Sequence, residues 1–228
     1  DEQGQSIALS YNGQDRVSSL GTSDGTFTYG YDAQGNLTSV THPDGTSRSY
    51  HYEDARFPHA LTGITDENGV RYATYAYNAD GRAISSEHIN GVDNYTVTYN
   101  PDDTATITNP LGKQTTYTFE TIQGVRKVVG VEGHQSTNCA AGFKNYSYTP
   151  QGWLNTRTNW NGNVTDYHYD GEGLVTAITE DVGGADQRVT GITYIPGLRL
   201  VDTVTEQGRT TDYGYDAYGR VTSVAITD

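Results

Sequence analysis

Residues 29–37 read YGYDAQGNL, and a close copy returns as YGYDAYGRV at residues 213–221. Tyr29 and Tyr31 flank one glycine, so an extended strand places both rings on the same face. Residues 32–35 have the signature of a type I turn, with Asp in the first position and Gly in the fourth. Glycine adopts the positive φ that a three-residue hairpin loop with a bulge requires. The segment therefore predicts a β-hairpin.

The same pattern recurs along the chain at intervals of 20 to 29 residues. The second aromatic residue of each copy, called here the second aromatic position, is Tyr11, Tyr31, Tyr52, Tyr77, Tyr99, Phe119, Tyr148, Tyr169, Tyr194 or Tyr215. Repeats of this period indicate an array of one supersecondary unit. We therefore predict an all-β fold, in which about ten antiparallel hairpins form a twisted, curved strip. Such a strip has two unpaired end strands, which invite edge pairing.

The repeat also identifies the residues expected to anchor the structure. A tyrosine ring buries a large area and presents its hydroxyl to water or to a partner. The expected anchors are the repeated tyrosines and turn glycines: Tyr29, Tyr31, Gly35, Tyr50, Tyr52, Tyr75, Tyr77, Gly81, Tyr99, Tyr146, Tyr148, Tyr167, Tyr169, Tyr194, Tyr213, Tyr215 and Gly219. We expect one repeat domain over residues 1–228, as a fragment of a larger protein.

Departures from the repeat lie in its turns and loops. In the first copy Asp15 replaces the turn glycine, and aspartate tolerates left-handed backbone better than most residues. A second kind of turn is expected between hairpins, at X-Gly pairs: Asp24-Gly25, Asp44-Gly45, Asn68-Gly69, Asn90-Gly91, Leu111-Gly112, Gln123-Gly124, Asn161-Gly162 and Gln207-Gly208. Residues 53–61 read as a longer loop. The longest insertion is expected at about Glu132 to Asn145, and it contains Cys139.

Charge and composition limit the expected partners. The chain has 14 Lys and Arg against 28 Asp and Glu, for a net charge of −14. Because binding to phosphates requires clustered Lys and Arg, we expect no nucleic-acid partner. No stretch approaches the roughly 20 apolar residues of a membrane-spanning helix, so no transmembrane segment is expected. The single Cys139 excludes an internal disulfide.

Two tryptophans are the candidate ligand-binding residues. Trp153 and Trp160 lie close in sequence, and Asn159 and Asn161 flank the second. Tryptophan faces stack on sugar rings, and asparagine amides both donate and accept hydrogen bonds. The alternative is that both tryptophans pack into the sheet as the repeated tyrosines do.

The remaining chemically active side chains are interpreted as structural. The carboxylates at residues 102–103 and 170–172 fall in turns, where they usually accept hydrogen bonds from the local backbone. His134 and Cys139 have no visible activating neighbour. His51 and His168 each stand between two tyrosines and are read as polar filler on the opposite face of the sheet. No metal-ligand spacing is present. We expect no enzymatic activity, no cofactor and no metal.

The pattern Tyr-x-Tyr-Asp-x-x-Gly-Arg/Asn-Leu-x-x-Val-Thr resembles the YD repeat of the Rhs family. Residues 29–41, 75–82 and 213–224 match it closely, and residues 50–86 also resemble the bacterial Rhs core. The resemblance covers essentially the whole chain. Rhs proteins, the related B and C components of insecticidal toxin complexes, and teneurins wind such hairpins into a large hollow shell.

The resemblance implies a function. In bacteria the shell encloses a C-terminal toxin until delivery, and many members are delivered by type VI secretion or found at the cell surface. The implied partners are the remaining Rhs repeats and the C-terminal toxin domain of the parent chain, and the implied location is secreted or at the cell surface. Bacterial relatives carry an Asp-Pro pair before the toxin, which this sequence lacks, so no cleavage residue is assigned. The alternative function is a cell-surface adhesion or carbohydrate-binding module with glycans as partners.

Overall fold

The computed structural model describes residues 6–136 and 140–228. These residues form twenty β-strands and one single-turn 3-10 segment, Ile89–Gly91. The predicted all-β array of antiparallel hairpins is confirmed. Cys139 lies outside the described residues. Within them, no helix has the length and apolar character needed to cross a membrane.

The chain groups into two compact units, residues 6–98 with 107–112 and residues 99–106 with 113–228, which are described separately. The expectation of one repeat domain over residues 1–228 stays a prediction.

In the first unit each strand pairs antiparallel with the next along the chain. The strands are β1 (Ala8–Tyr11), β2 (Val17–Thr22), β3 (Gly25–Tyr31), β4 (Leu37–Thr41), β5 (Ser47–His51), β6 (Gly63–Thr65), β7 (Arg71–Tyr77), β8 (Ala83–His88) and β9 (Tyr95–Tyr99). Alternating Thr, Val and Tyr favour these extended segments, because branched and aromatic side chains pack well on a pleated surface.

The second unit repeats the same meander from β11 to β20. Its strands are β11 (Gln114–Ile122), β12 (Val125–Gly133), β13 (Gly142–Tyr148), β14 (Leu154–Thr158), β15 (Val164–Tyr169), β16 (Val175–Glu180), β17 (Arg188–Tyr194), β18 (Val201–Glu206), β19 (Arg209–Tyr215) and β20 (Val221–Thr227). The remaining strand, β10 (Ala105–Thr108), has residues in both units, and the last residue of β9, Tyr99, also falls in the second unit.

The hairpin turns have the predicted geometry. The Asp32 amide donates to the Asn36 carbonyl at 3.0 Å, and the Gly35 amide donates to the Asp32 carbonyl at 3.1 Å. Gly35 has a φ of +87°, as a left-handed turn position requires. Asp15 occupies the equivalent place in the first copy with a φ of +58°. The prediction that this aspartate preserves the turn is confirmed.

The expectation of one distinct second kind of turn between hairpins is wrong at three of the pairs. The turns at Gly45, Gly69 and Gly162 have the same two backbone hydrogen bonds as the turn at Gly35. In each of these turns the glycine is the fourth residue, as Gly35 is in the turn at residues 32–35. These turns therefore have the hydrogen bonds of the YD turn and differ from it in sequence. By contrast, Gln123-Gly124 and Gln207-Gly208 are two-residue turns with positive φ at both residues, as type I′ hairpins require.

The predicted insertion from Glu132 to Asn145 begins and ends in strand. Glu132 pairs with Phe143, and Asn145 pairs with Gly130, so β12 and β13 extend well into this segment. Of the described residues in this segment, 134–136 and 140–141 lie outside the two strands. The sequence lacks a repeat motif here, yet the ladder between β12 and β13 continues to the pair of Gly133 with Gly142.

A β-bulge next to the second aromatic position was not foreseen. In β3–β4, Gly30 pairs with Ser39 and Tyr31 with Leu37, so Thr38 is an extra residue. The same one-residue shift precedes Tyr11, Tyr77, Phe119, Tyr148, Tyr169, Tyr194 and Tyr215. A bulge disrupts the ladder locally and increases the twist. Eight hairpins of the described array are therefore interrupted at the same place.

The apolar core is small. Among the described residues the buried hydrophobic side chains are Ala73, Ala105 and Val131, and no large side chain is fully buried. The repeated tyrosines at Tyr31, Tyr77, Tyr148, Tyr169, Tyr194 and Tyr215 are half-buried. Stability must therefore depend on half-buried rings and on hydrogen bonds between hairpins.

Candidate functional site

Tyrosine hydroxyls join consecutive hairpins. The Tyr169 hydroxyl donates a hydrogen bond of 2.7 Å to the carbonyl of Leu154, which lies in the preceding hairpin. We call this contact a tyrosine latch. The same contact forms from Tyr31 to Val17, from Tyr77 to Leu61, from Tyr148 to Val128, from Tyr194 to Val175 and from Tyr215 to Val201, at 2.7 to 3.0 Å. All six donors occupy the second aromatic position.

The bulge explains why a carbonyl is available to five of the six latches. Leu154 is the first residue of its return strand and follows a turn, and the ladder is interrupted beside it. A polar backbone group that leaves the ladder needs another partner, which the tyrosine supplies. Burial raises the pKa of the Tyr77, Tyr148 and Tyr169 hydroxyls. They therefore remain protonated and able to donate.

A second contact between hairpins lies at the turns. In two copies the side chain that follows the turn residue with positive φ covers the turn glycine of the next hairpin. A Cβ atom added at Gly173 would lie 2.6 Å from Cζ2 of Trp153. The Trp153 ring also packs on Tyr169, with 5.3 Å between ring centroids. Trp153 therefore covers both the turn and the latch tyrosine of the next hairpin.

Cations take the place of Trp153 in other copies. The Arg16 guanidinium lies 5.7 Å from the centroid of Tyr31 and covers Gly35. Similarly, the Lys127 ammonium lies 5.0 Å from the centroid of Tyr148. Aromatic faces attract cations and also pack against their aliphatic stems. The position just before the latch acceptor thus accepts different side chains that cover the next ring.

Polar bonds between turn loops reinforce this contact. Asn36 Nδ2 donates to the Pro58 carbonyl at 2.8 Å, and Gln123 Nε2 donates to the Pro150 carbonyl at 2.8 Å. Arg126 forms an ion pair with Asp103 Oδ1 at 3.0 Å. Each bond joins the turns of neighbouring hairpins, so the loops on this edge are linked to one another.

The longer loop at residues 53–61 is braced by an ion pair. Arg71 binds Glu53 through two nitrogen atoms, at 3.1 and 2.9 Å. The same guanidinium donates to the Thr62 carbonyl at 3.0 Å. These hydrogen bonds from Arg71, opposed by desolvation and helped by the Thr62 hydroxyl, lower the pKa of Glu53 to about 2. Glu53 is therefore charged at every physiological pH.

The candidate ligand residues occupy different surroundings. Trp160 is 47% exposed, lies against Gly133 and Gly142, and has the Lys144 ammonium 4.8 Å from its ring centroid. It borders a depression of about 440 Å³, whereas Trp153 borders another of about 430 Å³. The Asn159 side chain accepts hydrogen bonds from the amides of Asn161 and Asn163, so its oxygen is used by the turn. The assignment of these residues to a ligand stays a prediction.

The turn carboxylates have the local roles expected for them. Asp102 accepts hydrogen bonds from the amide and hydroxyl of Thr104, and Asp170 accepts from the amides of Glu172 and Leu174. The hydroxyl and amide of Thr104 lower the pKa of Asp102. His134 Nε2 lies 2.9 Å from the hydroxyl of Thr116.

Two histidines that each stand between repeated tyrosines also contact side chains of the sheet. His51 Nε2 lies 2.7 Å from the hydroxyl of Thr65. His168 Nε2 lies 3.3 Å from Asp166 Oδ2. Both contacts are those of polar groups within a strand ladder, as the interpretation of these histidines as polar filler requires.

The sequence analysis identified the latch donors without their acceptors. An acceptor carbonyl belongs to the backbone and leaves no residue signature. Its place is regular in three of the six latches, because Val17, Leu154 and Val175 each stand two residues after the turn residue with positive φ. The covering side chain stands one residue after it, where Arg16 and Trp153 could have been found by aligning the copies.

Comparisons with known proteins agree with this geometry. The family model of the RHS repeat matches residues 31–57 and 197–228. The fold is similar to that of three solved structures. The TcdB2-TccC3-Cdc42 complex matches with 12% identity and a TM-score of 0.69, covering 100% of this chain and 14% of that chain.

Two further structures give similar values. TcdB2-TccC3 matches with 12% identity and a TM-score of 0.67, covering 100% of this chain and 15% of that one. TcdB2-TccC3 without its hypervariable C-terminal region matches with 13% identity and a TM-score of 0.67, covering 100% and 14%. This chain therefore spans about one seventh of the length of the solved chains that it matches. A search of curated proteins found no match.

Proposed function

We propose that this chain, which carries RHS repeats, is a segment of the wall of an Rhs-type shell. The proposed shell encloses a C-terminal toxin polypeptide before delivery. The observation that carries this proposal is the latch, which repeats from hairpin to hairpin in both units. A wall requires neighbouring hairpins to stay joined without a thick apolar core. Latches and covered turns supply that cohesion, because the apolar core of the described residues is small.

The role is mechanical and not catalytic. The carboxylates at Asp102 and Asp170 act as turn acceptors, and Glu53 is held by Arg71. The partners of this chain would be the further repeats and the toxin domain of a larger exported protein. That protein would be secreted or displayed at the cell surface. The similarity to TcdB2-TccC3 supports this proposal at the level of the fold.

Protease protection tests the proposal. The full-length polypeptide that contains this segment would be treated with a protease, and cleavage of its C-terminal region followed over time. We expect that region to resist cleavage in the intact protein. Replacing Tyr148, Tyr169 and Tyr194 with Phe should make it accessible, whereas Tyr146→Phe with Tyr167→Phe should not. Equal cleavage in the intact and the denatured protein would contradict enclosure.

A carbohydrate-binding or adhesion module is the second candidate function, and the exposure of Trp160 favours it. Trp160 is half-exposed beside a depression of about 440 Å³, so part of its ring is accessible for contact with a sugar ring. A glycan array would reveal binding that Trp160→Ala abolishes and that Leu111→Ala retains. Leu111 is a suitable control because it is 93% exposed.

A further inference from the structure

A polar cleft crosses five strands of the second unit, from β13 to β17. Its volume is about 460 Å³, and every side chain that lines it is charged or carries an amide or a hydroxyl. Charged residues make up 18% of the chain, whereas they are six of the eleven that line this cleft. They are Lys144, Arg157, Glu180, Asp181, Asp186 and Arg188. A concave site with convergent charged groups is suited to a charged ligand.

The strand ladders place the lining residues in one row across the sheet. Tyr146 pairs with Arg157, and Arg157 pairs with Thr165. Thr165 pairs in turn with Glu180, and Glu180 with Arg188. Residues directly opposite one another in antiparallel strands lie on the same face. Thr165 is short and only 9% exposed, so it forms the floor of the cleft between the longer side chains of Arg157 and Glu180.

One end of the row is positively charged. Lys144 and Arg157 line it, and among the residues that the structure describes neither has a carboxylate within ion-pair distance. Their contacts are with aromatic rings, at 4.8 Å from the centroid of Trp160 for Lys144 and 6.0 Å from that of Tyr167 for Arg157. A guanidinium presents a fork of N–H donors that fits a carboxylate. This end of the cleft can therefore accept an anionic group.

The other end of the row is negatively charged. Glu180, Asp181 and Asp186 line it together with one cation, Arg188, which lies 3.3 Å from Glu180. Three carboxylates and one guanidinium leave an excess of two negative charges, which favours a cationic group. The loop that carries Asp186 is held in place, because its amide donates to Asp181 Oδ2 at 3.2 Å.

The distance between the two ends determines the length of a ligand that reaches both. Two strand spacings of roughly 4.8 Å separate Arg157 from Glu180, which gives roughly 10 Å. An extended peptide spans at most about 3.3–3.6 Å per residue, so three residues also span roughly 10 Å. A free tripeptide has a carboxylate at one end and an ammonium at the other, and each is complementary to one end of the cleft.

We propose that this cleft binds a short peptide with free ends, about three residues long. Its C-terminal carboxylate lies on Arg157 and its N-terminal ammonium lies among the carboxylates beside Glu180, through charge-assisted hydrogen bonds. The peptide groups between them pass over Thr165 and Asn163, whose side chains both donate and accept hydrogen bonds. The site goes beyond the proposed wall function and uses none of its latches, so its failure would leave that function untouched.

Calorimetric titration of the full chain with three matched probes tests the nature of the ligand. Triglycine has both charged ends, N-acetyl-triglycine lacks the ammonium, and triglycine amide lacks the carboxylate. We expect triglycine to bind, and each capped probe to bind at least about tenfold more weakly, because each loses hydrogen bonds to charged groups. Equal binding of triglycine and N-acetyl-triglycine would indicate a site for anions only and would overturn the inference.

Variants test the location of the site. Arg157→Gln, and the double variant Glu180→Gln with Asp186→Asn, should each weaken the binding of triglycine by at least about tenfold. The matched controls are Arg209→Gln and Asp212→Asn, which remove exposed charges of β19 outside the cleft and should leave binding unchanged. No binding of triglycine by the unmodified chain, or unchanged binding in either cleft variant, would overturn the inference.

Discussion

The Tyr169 hydroxyl reaches the Leu154 carbonyl across the boundary between two hairpins, at 2.7 Å. One hydrogen bond of this kind contributes roughly 0.5–1.5 kcal/mol to stability. The same residue packs on Trp153, so the tyrosine joins the hairpins through both its ring and its hydroxyl. Repetition of this contact along the chain compensates for the small apolar core.

Gly173→Ala should destabilise the chain more than Gly162→Ala. Both glycines have a positive φ, of +82° and +86°, which costs about 1 kcal/mol for an alanine. A Cβ at Gly173 also collides with Trp153, whereas at Gly162 nothing lies within 4 Å. We expect losses of roughly 2–3 and about 1 kcal/mol respectively, measured by urea unfolding. Equal losses would contradict the covering role of Trp153.

Trp153→Ala should lower the free energy of unfolding by about 2 kcal/mol, because the half-buried ring packs on Tyr169 and on the next turn. Trp160→Ala should cost about 1 kcal/mol or less, since its ring is 47% exposed. Thermal unfolding monitored by circular dichroism compares the two variants. A larger loss in Trp160→Ala would reverse the assigned roles.

Acid should weaken the braced loop. The pKa of Glu53 falls from its ordinary 4.5 to about 2 on folding, chiefly through Arg71. The folded state therefore binds fewer protons than the unfolded state, and stability rises with pH in this range. The contribution is complete above about pH 5 and is lost as pH falls toward 2.

Urea unfolding at several pH values between 5 and 2 measures this contribution. Glu53→Gln should be less stable at neutral pH and should show a shallower loss with acid. Glu172→Gln, which removes an exposed turn carboxylate, should retain the wild-type slope. An unchanged slope in Glu53→Gln would show that other carboxylates account for the acid sensitivity.

The hairpins and most of their turns could be predicted because their determinants are local. The alternation of Tyr29 and Tyr31, and the left-handed position held by Gly35 or Asp15, depend only on neighbouring residues. The wrong prediction for the turn at Gly69 also has a local cause. There an Asn-Gly pair resembles a two-residue hairpin, but the hydrogen bonds begin at Asp66.

The contacts between hairpins could not be predicted because they depend on register. Trp153 and Trp160 are the same residue type in similar sequence, yet one covers Tyr169 and the other lies on Gly133 and Gly142. Nor does the sequence mark the carbonyl of Leu154 as an acceptor. Both outcomes follow from the register of the ladders that join neighbouring hairpins.

The most direct test of the latch compares two tyrosines of one hairpin by urea unfolding. Tyr169→Phe removes the hydroxyl that bonds Leu154, and Tyr167→Phe removes a hydroxyl for which the described residues provide no such latch. We predict that Tyr169→Phe lowers the free energy of unfolding by about 1 kcal/mol or more, and that Tyr167→Phe changes it by less than about 0.5 kcal/mol. Equal effects, or no loss in Tyr169→Phe, would contradict the claim that tyrosine latches hold the array together.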